Sequence, residues 1–348
     1  MAFNLFSHEF QMRKIDRNGD PLVKINQFVD WELFRADLEA ARESARPHEP
    51  KSNAGRPATD VILLFKMLVL QSLYNLSDDA AEQQVLDRLS FQRFLGLDIG
   101  DPVPDAKTLW AFKELLKPGD LAKTLFLRFD AFLRGNGFEA QKGQIVDATI
   151  VTVRIRRDTK EVNEQVKAGD GANVKEWSEN ARRQKDIDAR WAKKNGKSFF
   201  GYKDHEETDA AHKFIRQYEV TPASTHDSRV YEPLITENTD PEEYADSAYR
   251  SEERIAKREA LGKVPHFQEK GTRGHPLTEE QKQANRERSK VRSRVEHVFG
   301  AKKQRAGNLI LRTIGIARAR VKLGLRNLAY NLERYAMLML RKRGRMAA

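Results

Sequence analysis

Cysteine is absent from all 348 residues, which excludes disulfides, thiolate metal sites and a cysteine nucleophile together. No apolar run approaches the roughly 20 residues that a membrane-crossing helix needs. The first ten residues, MAFNLFSHEF, lack the basic-then-apolar pattern of a signal peptide. These absences lead to the expectation of a soluble protein in a reducing, intracellular compartment, without contact with a membrane. Acidic residues are scarce in one region. Residues 281–348 carry 19 Lys/Arg against 3 Asp/Glu, whereas the rest of the chain carries 43 against 48. The net charge of +11 therefore belongs to the C-terminal fifth, and such concentration points to a polyanion, most simply nucleic acid. A basic solubilising tail is the plainer reading. Leu323, Leu325, Leu328, Leu332, Leu338 and Leu340 lie in the same stretch, however, so it should fold.

In chain order, residues 1–22 read as a loosely ordered lead-in. Ile25, Phe28, Trp31, Phe34 and Leu38 are spaced for one face of an amphipathic helix over 24–43. Residues 47–55 (PHEPKSNAG) read as a linker. The run DVILLFKMLVLQSLYNL (60–76) is apolar nearly all round and predicts a buried central helix. Ser77 or Asp78 can cap a following helix over 80–97, Asp105 another over 106–116, and a last one over 121–137 is ended by Gly135 and Gly137. Such a helical set suits either a helix-turn-helix DNA reader or a dimerisation module.

The period then changes. Ile145, Val146, Thr149, Ile150, Val151, Thr152 and Val153 form a β-rich run interrupted by Asp147, an acid that is costly in a buried strand unless something pairs with it. Residues 156–197 are highly charged and read as an insertion or mobile loop suited to contacting DNA. Strands over 198–205 and 213–221, a short helix over 228–236, a strand ending just before Asp246, a helix over 251–261, a strand over 264–270 and a helix over 287–305 follow. That order predicts an α/β sheet with helices packed against it.

On the last of these helices, Val291, Val295, Val298 and Phe299 form an apolar stripe, while Ser289, Arg292, Glu296 and Lys303 fall near one another on a different face. An Arg292–Glu296 ion pair is the bland reading. The sharper one is a carboxylate held for a metal ion. Asp147 on the first strand, Asp246 at a strand end and Glu296 would then converge on one point, and three carboxylates without cysteine suit Mg²⁺ or Mn²⁺, as a pair of ions. Arg292, Lys303 and Arg294 would contact phosphate. Asp204, Asp209 and Asp227 are rival ligands on nearby elements.

The segments IVDATIV (145–151), DARWAKKNGKSFFGYKDHEETD (188–209), VTPASTHDS (220–228), YADSAYRS (244–251) and RSRVEHVFGAKK (292–303) resemble the DDE-class insertion-sequence transposases, most closely the insertion sequence 5 family. GRPATDVILLFKMLVLQSLYNLSD (55–78) and DAKTLWAFKELL (105–116) are similar to the helical N-terminal domain of these enzymes. The resemblance spans roughly residues 55–335. It implies an RNase H-like catalytic core, a mixed sheet flanked by helices, preceded by an all-helical domain. It also implies a D, D, E triad on Asp147, Asp246 and Glu296, with Arg292 four positions before the glutamate and Lys303 seven after. Ser289 stands where that signature often begins with Tyr. The role of His226 and Asp227, also within a family motif, is left open between DNA contact, support of the site and helix capping. His297, next to Glu296, points away from it and reads as structural. The chain then divides into a lead-in (1–54), a helical DNA-binding or dimerisation domain (55–140), the catalytic domain with its charged insertion (141–310) and a basic C-terminal segment (311–348). The implied function is binding of terminal inverted repeats, metal-dependent end cleavage and strand transfer. The implied partners are double-stranded DNA at transposon ends and target, within a homodimer or higher assembly in the bacterial cytoplasm at the nucleoid. Two alternatives remain open: a metal-dependent nuclease that cuts without joining, and a non-catalytic DNA-binding regulator.

Overall fold

A computed structural model describes residues 7–45, 58–155, 158–194, 196–236, 240–307 and 310–346. They form two compact units, one of residues 1–136 and 324–348, the other of 137–323. The expected linker over 47–55 lies outside the described residues.

The first unit is all-helical. Its helices are α1 (Ser7–Arg17), α2 (Pro21–Phe28), α3 (Arg35–Ser44), α4 (Val61–Tyr74), α5 (Asp78–Asp87), α6 (Leu89–Leu95), α7 (Ala106–Leu115) and α8 (Leu121–Gly135). The lead-in contains a helix, α1, rather than loose chain. The helix expected over 24–43 is broken: the Asp30 side chain accepts from the Glu32 N–H and starts a 3₁₀ turn over Trp31–Phe34, from which α3 continues. A local Asx cap thus overrides a continuous apolar stripe. Similarly, α5 and α6 divide at Arg88 what reads as one helix. Asp60, Ser77 and Asp105 each cap the helix that follows, accepting from backbone N–H groups that have no partner inside it. α4 is buried on nearly every side, and its Phe65 packs on Phe34 with ring centroids 4.9 Å apart. No single described helix is long and apolar enough to cross a membrane.

The second unit is built on a mixed sheet of β1 (Gln144–Val153), β2 (Arg190–Lys194), β3 (Lys197–Asp209), β4 (Ile215–Pro222), β5 (Glu242–Ala245), β6 (Val264–Phe267) and β7 (Ile310–Leu311). β1 is central. β3 runs antiparallel to it and carries β4 antiparallel, while β5 runs parallel to β1 and carries β6 parallel. The order β4–β3–β1–β5–β6, with helices on both faces, is an RNase H-like α/β fold, as the sequence led one to expect. On one face, Val146, Ala245 and Phe267 pack with Tyr231, Leu234 and Tyr249 beneath α11 (Tyr231–Leu234) and α12 (Glu252–Ala260). On the other, Ile145 packs against Val295 of α13 (Glu279–Ala306). The last helix, α14 (Ile316–Met346), begins in this unit and contributes its residues from Gly324 onward to the first.

Residues 158–194 are folded, contrary to the mobile loop that their charge suggests. They contain α9 (Lys160–Lys167) and α10 (Glu179–Arg182), with Val162, Val174 and Trp177 buried together and Ile187 packed on them. A few apolar side chains concentrated on one side suffice where the composition is mostly polar. The Tyr202 hydroxyl donates to Asp186 at 2.7 Å and ties the insertion to β3. Gly201, where β1, β2 and β3 meet, is required: a Cβ there would lie 2.2 Å from the Val151 carbonyl oxygen.

β3 is unusual in burying four acids, Asp204, Glu206, Glu207 and Asp209. Each has a partner. Asp209 holds Arg216 at 3.1 Å, Glu207 accepts from Thr236, and Asp204 and Glu206 share Lys302 of α13. One lysine facing two carboxylates leaves a net negative charge unless a proton stays. Burial accordingly pushes the Glu206 carboxyl up to about 8, with Asp204 beside it adding to the effect.

Lys302→Met removes the cation that α13 supplies to Asp204 and Glu206, and should cost about 3–5 kcal/mol in urea unfolding, the penalty for stranding buried carboxylates. The same cluster sets a pH dependence. Because the folded Glu206 carboxyl holds its proton to about 8 and the unfolded one only to about 4.5, the native state binds more protons between these values. Stability should fall as pH rises through that window, and the fall should flatten in Glu206→Gln. Parallel urea curves at pH 5 and 8 check this.

Candidate active site

The sheet register assembles the site. Asp147 pairs with Glu206 across β1 and β3, and Val146 pairs with Ala245 across β1 and β5. One step further along, Asp246 lies beside Asp147 at the end of β5. Successive strand residues point to opposite faces and directly paired ones to the same face, so Asp246, Asp147 and Glu206 form a row on the face that α13 covers, two residues on from Ile145. Asp246 also starts a 3₁₀ turn, its carboxylate accepting from the Ala248 N–H. Residues leaving the C-terminal ends of parallel strands are free of the ladder, which suits them to function.

Asp147 is partly buried, its side chain 26% exposed. Arg292 donates to its Oδ2 at 3.3 Å. Burial raises the Asp147 carboxyl above the ordinary aspartate range. Arg292 and the Ala148 N–H pull it back, while Asp246 pushes it further up. The two aspartates therefore form a pair whose negative charge Arg292 only partly offsets. Arg292 is itself held by Gln268, which follows β6 and donates to Ser289 Oγ at 2.7 Å. The serine at the position where the signature often has tyrosine thus helps to fix the helix on the sheet.

The inward stripe of α13 is Arg292, Val295, Phe299 and Lys302, at spacings of three, four and three. Glu296 lies on its flank and is exposed. Among the described residues, no three carboxylate or imidazole groups lie close enough together to hold a metal ion. The sheet register brings Asp147 and Asp246 together, and Glu296, exposed on α13, completes no three-group cluster with them among the described residues. Arg294 donates to the Ala210 carbonyl at 3.2 Å, and Lys303 is exposed. The rival acids are engaged elsewhere: Asp204 with Lys302, Asp209 with Arg216, and Asp227 with Lys203 at 2.7 Å. His226 caps the 3₁₀ turn over Asp227–Val230, and His297 is exposed. Lys302 and Gln268 were not singled out from the sequence. The heptad step from Val295 to 302 carries the signal for the lysine; nothing marks the glutamine.

The donor set fits a hard divalent cation in part. Asp147 and Asp246 offer oxygen ligands only, and they form a pair short of positive charge. Among the described residues, no third carboxylate or imidazole completes a cluster with them.

Two family models match this chain: a transposase domain (DUF772) over residues 9–115 and a transposase DDE domain over 139–332. Among solved structures, the piggyBac transposase, in a synaptic complex with hairpin DNA, is similar over 93% of this chain and 76% of that one, at 11% identity and a TM-score of 0.45.

The coupling between the two aspartates is measurable by carboxyl-carbon NMR titration. Arg292→Met should move the Asp147 midpoint upward and Asp246→Asn should move it downward, since one neighbour favours its charge and the other opposes it. Unchanged midpoints in both variants would separate the two groups from Asp147.

Proposed function

Since the chain belongs to the DDE-domain transposases, of insertion-sequence type, and is an enzyme of that class, we propose that it is a member of the insertion sequence 5 group that binds the terminal inverted repeats of its element, hydrolyses phosphodiester bonds at the ends and joins the freed 3′-hydroxyls to target DNA. The observation that supports this reading is the side-by-side placement of Asp147 and Asp246 on adjacent parallel strands beneath a cationic helix.

In this reading Asp147 and Asp246 hold Mg²⁺ or Mn²⁺, two ions in the working enzyme, with Glu296 as the third acid. Bound divalent ions supply activation of a water or 3′-hydroxyl and stabilisation of the leaving oxygen. The chain itself supplies position and charge. Arg292 neutralises Asp147 in the absence of other cations and offers its remaining donors to phosphate. Lys303 and Arg294, on the same helix, extend the basic surface along which a DNA backbone would lie, and the excess of Lys/Arg in 281–348 serves the sequence-independent part of that binding. Two element ends per reaction call for at least two copies of the enzyme.

Asp147→Asn, Asp246→Asn and Glu296→Gln should each lower cleavage of end-containing DNA with Mg²⁺ by at least about a hundredfold, or about 2.7 kcal/mol of barrier, while DNA binding persists. Gel analysis of strand-transfer joints separates a transposase from a nuclease that only cuts. Full cleavage by Glu296→Gln would remove that residue from the site; full cleavage by Asp147→Asn would remove the site.

A further inference from the structure

The β1–β5 ladder ends at Val146 and Ala245, and the β5–β6 ladder ends at Ala245 and Phe267. Asp246 is the next residue, so no rung of the sheet fixes its distance from Asp147. What holds it is the 3₁₀ turn that it starts, Ser247–Tyr249. That turn is gripped at its far end. The Tyr249 ring is buried with Val146 and Ala245, the residues immediately before the two aspartates. The Tyr249 carbonyl accepts from Nη1 of Arg254, in the first turn of α12.

The same guanidinium reaches a second turn. Its Nη2 donates at 2.9 Å to the carbonyl of Ser228, within the 3₁₀ turn over Asp227–Val230 that follows β4. The Tyr231 ring, its centroid 5.0 Å from the guanidinium carbon, and Glu232 at 3.5 Å hold the side chain, which is only 15% exposed. A planar fork of donors is what lets one residue bridge two carbonyls in this way. The second turn has its own anchor. Asp227 accepts from Lys203 of β3 at 2.7 Å, and the same ammonium donates to the Thr225 carbonyl at 2.7 Å. A continuous set of charge-assisted bonds therefore runs from β3, which the ladder ties to β1, through Asp227 and Arg254 to the turn of Asp246. The Tyr249 phenol reflects how close these groups lie. Burial pushes it well above its ordinary range, and the carboxylates of Asp227, Asp147 and Asp246 add to the push.

We propose that Arg254 is a positioning residue of the active site: by bridging the two turns it keeps the Asp246 carboxylate beside Asp147. This rests on the reading of the two aspartates as the catalytic pair and adds the means by which the second is held. Asp227 then has a role of its own, as the anchor of the bridge. A lysine at position 254 would keep the charge opposite Glu232 and lose the fork that spans both carbonyls.

The test uses the full chain, end-containing DNA with Mg²⁺, and Mn²⁺ alone as the metal probe. Arg254→Lys should bind the DNA like the wild type. Its single-turnover cleavage and its Mn²⁺ affinity, read from the EPR signal of the free ion, should each fall about ten- to a hundredfold, as when other groups that orient metal ligands are lost. Glu232→Gln, which keeps the bridge, should match the wild type in both. A merely structural role would lower the melting temperature and leave both readings unchanged in the folded fraction. Asp227→Ala removes the anchor without touching Arg254, and should reproduce the losses even should Arg254→Lys fail to fold. Wild-type cleavage and Mn²⁺ binding by folded Arg254→Lys or by Asp227→Ala, or equal losses in Glu232→Gln, overturn the positioning role and leave the transposase reading standing. A loss confined to DNA affinity does the same, since it makes Arg254 a DNA contact. Cleavage and Mn²⁺ binding that both survive Asp147→Asn overturn the aspartate pair itself.

Discussion

A lysine buried between two acids holds the second unit in its working form. Lys302 reaches from α13 to Asp204 and Glu206, and all three are shielded from water. Removing so many charges from solvent is expensive, and the cost is recovered only while the partners stay in register. That requirement fixes α13 along its axis and about it. With Lys302 seated, Val295 two turns back packs on Ile145, and Arg292 falls on Asp147. A purely apolar seam would tolerate a slip of one turn; the ion cluster does not. Glu269, which follows β6, fixes the other end of the helix by pairing with Arg288 and Gln281.

Much of this was legible in the residues. A β-rich run interrupted by an acid identified β1 and Asp147, because an aspartate among Ile and Val is tolerated only where it is used or paired. Asp246 was legible from its place just after a short strand. Helix phase was harder to read. Lys302 and Lys303 are neighbours, and a turn of about 100° per residue sends one to the sheet and the other to water; only the choice of Val295 as the inward anchor decides between them. Asp204 and Asp209 of β3 were read as rival metal ligands because a sequence does not show that Lys302 and Arg216 are already beside them. The insertion was misread for another reason. Its core consists of a few side chains scattered over 26 residues, too sparse to register as a periodic pattern.

The same helix phase bears on how Glu296 would join the pair in the proposed site. Turning α13 far enough to point Glu296 at the sheet would withdraw Lys302 from Glu206 and Asp204, at a cost of several kcal/mol. Rotation is therefore the expensive route. Glu296 lies one turn beyond Arg292, about 5–6 Å between Cβ atoms, and a glutamate side chain spans much of that distance by changing rotamer. The remaining obstacle is Arg292, which occupies an oxygen of Asp147. Asp147 could offer that oxygen to a bound divalent ion only where the Arg292 guanidinium gives it up. Once displaced, Arg292 would no longer be needed as counter-charge and would be free to bind phosphate, while Glu296 would gain a cation to approach. Metal binding and DNA binding would then be coupled through one arginine, with the helix backbone stationary throughout.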